Sequence, residues 1–308
     1  MADYQQKRRY STVFAACIAL VTLMASCNKD EEIIVEIPEE QTEFTVIEYL
    51  PGPGQFINEK VSGFDGVTTM EEACRYAQKR MEKFNYVSLG AYGGFITVKA
   101  QSPIHNTGSY DFSIAGNAID TSSEPGIVWV MQDTNGNGLA DDTWYELKGS
   151  RYDGEGYERG YSVTYYRPES QQSAVRWTDS NGDSGEVAWL GTYHKQEFYY
   201  PLWVREDSYT LSGSRLPNIS IQDSATGEWH LLPFEWGYVD NLGEDSTTVE
   251  LNGVKVQKNF FRISDAVTSL GRPAHLEQID FIKVQTAVNA FAGIIGENST
   301  EVCGFFRE

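Results

Sequence analysis

Gly94-Phe95-Ile96-Thr97-Val98-Lys99-Ala100 decides the fold. Ile96, Val98 and Ala100 fall on one side of an extended chain and Thr97 and Lys99 on the other, which is the period of a half-buried strand. Similar stretches follow at Tyr86–Leu89, Tyr110–Ala115, Ile127–Gln132, Thr143–Lys148 and Tyr161–Tyr166, and again at Phe260–Ile263 and Ile279–Thr286. Gly, Asn and Asp separate them. Many short strands with turn residues between them predict an all-β chain, a β-sandwich or jelly roll.

One segment reads as helix. Thr69-Met70-Glu71-Glu72 has the form of a capping box, and Met70, Ala73, Cys74, Ala77, Met81 and Phe84 recur at helical spacing. The stretch from about 168 to 259 is more polar and rich in turns, and reads as elaboration on a single sandwich.

The N-terminus reads as a targeting segment. Lys7, Arg8 and Arg9 precede an apolar run from Val13 to Met24, too short for a transmembrane helix of about 20 residues. The run ends in Leu23-Met24-Ala25-Ser26-Cys27, small residues before a cysteine, as lipoprotein processing requires; Met24 stands where Leu, Val or Ile is usual. The expected organisation is a signal peptide over residues 1–26, a lipid-anchored acidic tether over 27–45, and the folded domain over 46–308. Asn28-Lys29-Asp30-Glu31-Glu32 resembles the signal that sends Bacteroidota lipoproteins to the cell surface, so the expected location is the outer face of the outer membrane, held by lipid on Cys27.

The leader holds three of the 24 cations and one of the 44 acids, leaving 21 against 43 and a formal charge of −22 in the processed chain. Such a charge disfavours nucleic acid and anionic lipid as partners. Two cysteines remain in the fold, Cys74 and Cys303; they either form a disulfide bridge or stay as buried thiols.

Asp133-Thr134-Asn135-Gly136-Asn137-Gly138-Leu139-Ala140-Asp141-Asp142 places oxygen side chains at alternate positions with glycines that let the backbone curl, as a hard cation with six to eight oxygen ligands demands. It is similar to the calcium loops of dockerins and thrombospondin type 3 repeats. Asp133, Asn135, Asn137, Asp141 and the Leu139 carbonyl are the expected ligands of a structural Ca²⁺, although Trp144 stands where an EF-hand has its closing Glu. A solvated turn is the other reading. Asp179-Ser180-Asn181-Gly182-Asp183 is a shorter run of the same type and reads as a hairpin turn.

No Gly-x-Ser-x-Gly elbow, His-Glu-x-x-His or phosphate-cradling loop occurs, and His105, His194, His230 and His275 are not spaced as ligands. Trp177, Trp189, Tyr193, Tyr199, Tyr200 and Trp203 crowd into the turn-rich stretch, where they would either stack on a ligand or fill the core.

Several separated blocks carry a further resemblance: Pro51-Gly52-Pro53-Gly54-Gln55-Phe56-Ile57-Asn58, Val87-Ser88-Leu89-Gly90, Ser123-Glu124-Pro125-Gly126-Ile127-Val128, Trp144-Tyr145-Glu146-Leu147, and Ile279-Asp280-Phe281-Ile282-Lys283-Val284-Gln285-Thr286 running on to Gly296-Glu297-Asn298-Ser299-Thr300-Glu301. From Tyr49 to Glu301 the chain resembles a family of Bacteroidota cell-surface lipoproteins. The resemblance implies a galactose-binding-like or discoidin-like jelly roll and a place among outer-membrane nutrient uptake systems, including those for corrinoids. The expected function is therefore non-catalytic capture of a nutrient, a glycan or a corrinoid, for an outer-membrane transporter. A glycoside hydrolase built on paired carboxylates and an adhesion or scaffold protein are the alternatives.

Replacing Cys27 by Ala is expected to abolish labelling by a palmitate analogue and to release the protein from membranes; lipid label persisting in that variant would remove the anchor.

Overall fold

The computed structural model describes residues 43–308, which belong to one compact unit. Its centre is a six-stranded antiparallel sheet in the order β1 (Phe44–Leu50), β3 (Phe95–His105), β16 (Gln278–Thr286), β5 (Gly126–Met131), β6 (Tyr145–Leu147) and β15 (Ala266–Val267). Ile96, Val98, Val128, Val130, Ile282 and Val284 face one way from its three central strands and are all buried. They pack in one apolar cluster with Phe112, Phe261 and Phe305 of a four-stranded sheet, β13 (Ser246–Leu251), β14 (Val254–Phe261), β4 (Phe112–Gly116) and β18 (Gly304–Arg307). Phe44 and Phe305 meet across the layers with ring centroids 5.9 Å apart. The chain is an all-β sandwich, as the alternation predicts.

A second four-stranded sheet, β10 (Ser208–Arg215), β7 (Glu158–Tyr166), β8 (Val175–Asp179) and β9 (Ser184–Val187), joins the same core through Tyr161, Val163, Tyr165 and Leu211. The turn between β8 and β9 is the hairpin expected at Asp179–Asp183, with the Asp179 carboxylate accepting from the backbone N–H of Asn181 and Asp183 at 3.0 and 2.8 Å. Two short ribbons complete the fold, β2 (Val87–Ser88) with β17 (Glu301–Val302), and β11 (Ile221–Gln222) with β12 (Trp229–His230).

The helix α1 runs Met70–Met81. Thr69 caps it, its hydroxyl accepting from the Glu72 N–H at 3.2 Å, while the Glu72 carboxylate reaches back to the N–H of Thr68 rather than of Thr69. Ala73, Cys74, Tyr76, Ala77 and Met81 form its buried face. Gln78 lies alongside β1, accepting from Val46 N–H at 2.8 Å and donating to the Phe44 carbonyl at 3.3 Å. Among the described residues no helix is long and apolar enough to cross a membrane. Cys27 lies outside the described residues.

Of the two states expected for Cys74 and Cys303, the structure has the second: both are buried free thiols. Cys74 sits among the side chains around α1 and β1, whereas Cys303 belongs to a separate apolar cluster with Ala115 and Val256, so each thiol is packed by a different set of neighbours. Burial pushes the Cys74 thiol up to about 11 and the Cys303 thiol higher still, which keeps both protonated and unreactive at neutral pH.

Under α1 lies an aromatic cluster. Phe64 stacks on Tyr76 at 3.8 Å between centroids and on Trp203 at 5.7 Å, with Tyr49 6.0 Å from Trp203. Trp203→Ala is expected to cost about 3–5 kcal/mol by loss of transfer energy and a residual cavity, measured by urea denaturation; a change below about 1 kcal/mol would show that the cluster does not hold α1 to the sheet.

Candidate functional site

The pleat that turns Ile282 and Val284 into the core turns Lys283 and Gln285 to the opposite face of the central sheet. Strand register extends this into a row: Glu48 of β1 pairs with Thr97, Thr97 with Lys283, Lys283 with Trp129, Trp129 with Glu146 and Glu146 with Val267. Six strands thus each place one side chain in a single line, and four of the six side chains are polar or charged. A second line, Leu50, Phe95 and Gln285, runs beside it.

Over this face opens a cleft of about 630 Å³. Its floor is Phe95, Trp129, Glu146, Lys283 and Gln285, and its walls are Trp144, Tyr152 and Arg159 together with the free edge of β10 from Thr210 to Ser214. Gln285 fixes that edge, its side-chain N–H donating to the carbonyls of Ser212 and Gly93 at 2.8 and 3.1 Å. The approach is so close that a Cβ at Gly213 would stand 1.9 Å from Gln285 Oε1, so any side chain there would displace the Gln285 amide. Gln285 Oε1 itself is buried and accepts no hydrogen bond.

Glu146 is 6% exposed. The Tyr157 hydroxyl lies 2.9 and 2.8 Å from its two oxygens, and the Ser214 hydroxyl donates to it. Burial outweighs these donors and pushes its carboxyl up to about 7. Lys283 is held differently. Its ammonium stands 4.3 Å from the Trp144 ring centroid and 5.0 Å from that of Phe95. Desolvation lowers its pKa, partly offset by the charge of Glu48. Arg159 covers Tyr152 at 4.7 Å and pairs with Asp153 at 2.7 Å.

The aromatic residues singled out in the sequence do not line this cleft. Tyr199 and Tyr200 are fully buried and Trp203 is 6% exposed, which excludes them as a contact surface. The two tyrosines can be buried because each hydroxyl finds a backbone carbonyl, His194 at 2.8 Å and Glu206 at 2.9 Å. Trp189 is half-buried, its indole N–H donating to the Gln196 carbonyl. Trp177 lies on β8 in a separate hollow with Arg176 and Glu186, and Tyr193, 79% exposed, borders another with Val61 and Leu202. The six aromatics therefore do not converge. What the sequence reading missed is a lysine at the centre of an otherwise apolar strand, Ile282-Lys283-Val284, and an acid in the same position in Tyr145-Glu146-Leu147.

The Asp133–Asp141 loop does curl. Asp133 accepts from the N–H groups of Gly136, Asn137 and Gly138 at 2.8, 3.2 and 2.8 Å, and the side chains of Asn135 and Asn137 both meet the Asp141 carboxylate, at 3.3 and 3.0 Å. Leu139 is exposed at the tip. Elsewhere Glu124, Asp240 and Glu301 bring one oxygen each within 4.8 Å of one another, close enough to hold a metal ion. Backbone N–H groups of Ser299, Asn117 and Glu301 donate to Glu124 and Asp240 at 2.9 to 3.0 Å. Burial raises all three carboxyls, and repulsion adds to it at Glu124, from Asp240, and at Glu301, from both of the other acids.

No family model matches the chain, and no curated protein matches it in sequence.

Buried acids with raised pKa fix the sign of the pH dependence. Glu146 and Glu297 each stand at about 7 against an ordinary 4.5. Their protonated forms favour the fold, so this stability is fully present below about pH 4.5 and is lost as pH rises through 7, with a slope of up to about 1.4 kcal/mol per pH unit for each proton. Urea denaturation should give a lower stability at pH 8 than at pH 5, and Glu146→Gln should flatten part of that slope; stability rising over this range would contradict the assignment.

Proposed function

We propose that the protein is a binding protein and that the cleft over the central sheet takes a ring-bearing ligand. One observation carries this reading: the cleft-side face of the central sheet bears Glu146, Trp129 and Lys283 in register, beside Phe95 and beneath the rings of Trp144 and Tyr152. An ordinary sandwich face would carry solvated polar side chains or core. Here half-buried rings and charges line a concavity of the size that holds a drug-sized molecule. Aromatic faces stack on sugar rings, and the β10 edge and the Glu146 carboxyl supply hydrogen-bonding groups for hydroxyls. The volume suits a short glycan segment; a corrinoid would stand mostly outside it.

Surface display through a lipid on Cys27, and delivery of the ligand to an outer-membrane transporter, belong to the same reading, as does Ca²⁺ in the Asp133–Asp141 loop. Its support is the curled loop, in which the side chains of Asn135 and Asn137 both meet the Asp141 carboxylate while Asp133 gathers three backbone N–H groups. A chelator is expected to lower the melting temperature, and an ion at 100 times its dissociation constant would stabilise the fold by about 2.7 kcal/mol. Hydrolysis is the weaker reading, because among the described residues Glu146 is the only carboxylate lining the cleft, and glycoside hydrolysis requires a pair roughly 5 to 10 Å apart.

Trp144→Ala and Trp129→Ala should each weaken glycan binding by about 1–2 kcal/mol in isothermal titration against a glycan panel, with the melting temperature shifted by only a few degrees. Parental affinity in both variants would place the ligand elsewhere.

A further inference from the structure

Lys283 is the least satisfied charge in the cleft. It lies on β16, which is paired on both edges, so its backbone cannot move aside, and its side chain passes between the Phe95 and Trp144 rings. Among the described residues its ammonium has no hydrogen bond and no carboxylate within 4.0 Å; Glu48, the nearest acid to influence it, is engaged instead by the Thr97 hydroxyl at 3.5 Å. Arg159, across the cleft, has its own acid in Asp153. A half-buried cation held by ring faces and lacking an anion is a group whose partner comes from outside, since an unpaired buried charge is costly and a bound anion removes that cost.

Taken with the reading of the cleft as a glycan site, on which this rests, we propose that the ligand is an acidic saccharide and that Lys283 receives its anionic group. The anion is a carboxylate, as in a uronic acid, or a sulfate ester; both present oxygens to a compact ammonium. The rings of Trp144 and Phe95 then serve two purposes: they orient the lysine and stack on the sugar beside the anion.

The test uses the full-length protein and isothermal titration with four probes: an α-1,4-linked trigalacturonate, its methyl ester, the neutral galactose trisaccharide and a sulfated galactose disaccharide. The wild type should bind the trigalacturonate or the sulfated probe at least about tenfold more tightly than the neutral ones, as a charge-assisted hydrogen bond predicts, and added NaCl should weaken only the acidic probes. Which of the two acidic probes binds better identifies the anion. Lys283→Met should abolish the difference between acidic and neutral probes, and Lys283→Arg should keep most of it; the Arg variant and the salt series decide the matter if the Met variant does not fold. Binding of both acidic probes no tighter than that of the neutral ones, an unchanged preference in Lys283→Met, or no binding of any acidic probe overturns the proposal. In the first two cases Trp144→Ala separates the failures: if it weakens the ester, the cleft remains the site and only the anion is wrong, whereas an unchanged affinity removes the cleft as well.

Discussion

The pairing of β16 on both edges governs the rest of the molecule. Its registers with β3 and β5 bring the last part of the chain between two strands formed much earlier in sequence, and they set which side chains share a face. Because the side-chain period in a strand is two, a slip of one residue would turn Lys283 and Gln285 into the core and expose Ile282 and Val284. The hydrophobic demand of Ile282 and Val284 for the core therefore also places the charge of Lys283 and the amide of Gln285 on the cleft face. Specificity of folding and construction of the cleft are one event.

The same logic explains what could be read from the sequence. Alternation in Gly94–Ala100 and Ile279–Thr286 gave strands within a few residues of their true limits, and the Thr69 cap with its apolar spacing gave α1. These are local signals, repeated every two or four residues. The cleft is assembled by register between strands far apart in the chain, and no local pattern reports that Trp129, Glu146 and Lys283 are neighbours. The aromatic stretch misled for a related reason. Turn-rich sequence suggests exposure, but Trp203 packs beneath it because its ring neighbours, Tyr49 and Phe64, come from well over a hundred positions earlier. Tyr199 and Tyr200 are buried against the rings of Trp189 and Tyr209, from within the stretch's own surroundings.

Charge is distributed unevenly across the molecule. An excess of acids covers the surface, yet several carboxyls, among them Glu146, Glu297 and Glu301, are buried. Donors meet them there: hydroxyls at Glu146, the Gln55 N–H at one oxygen of Glu297, and backbone N–H groups in the Glu124–Asp240–Glu301 cluster. In that cluster the acids draw together segments near residues 117, 124, 240 and 300, which have little regular structure of their own. Polar contacts thus fasten loops that apolar packing alone would leave loosely held.

The contact of Gln78 with β1 has a consequence for the protein in crowded conditions. β1 is the outermost strand of the large sheet, and an outermost strand ordinarily offers unpaired N–H and carbonyl groups to any extended peptide that passes. Here a glutamine from the neighbouring helix occupies the Val46 N–H and the Phe44 carbonyl, so a side-chain amide stands in for the missing strand. That stretch of β1 is in this way closed to an added strand, and one residue of the helix acts as the guard there against strand-to-strand pairing.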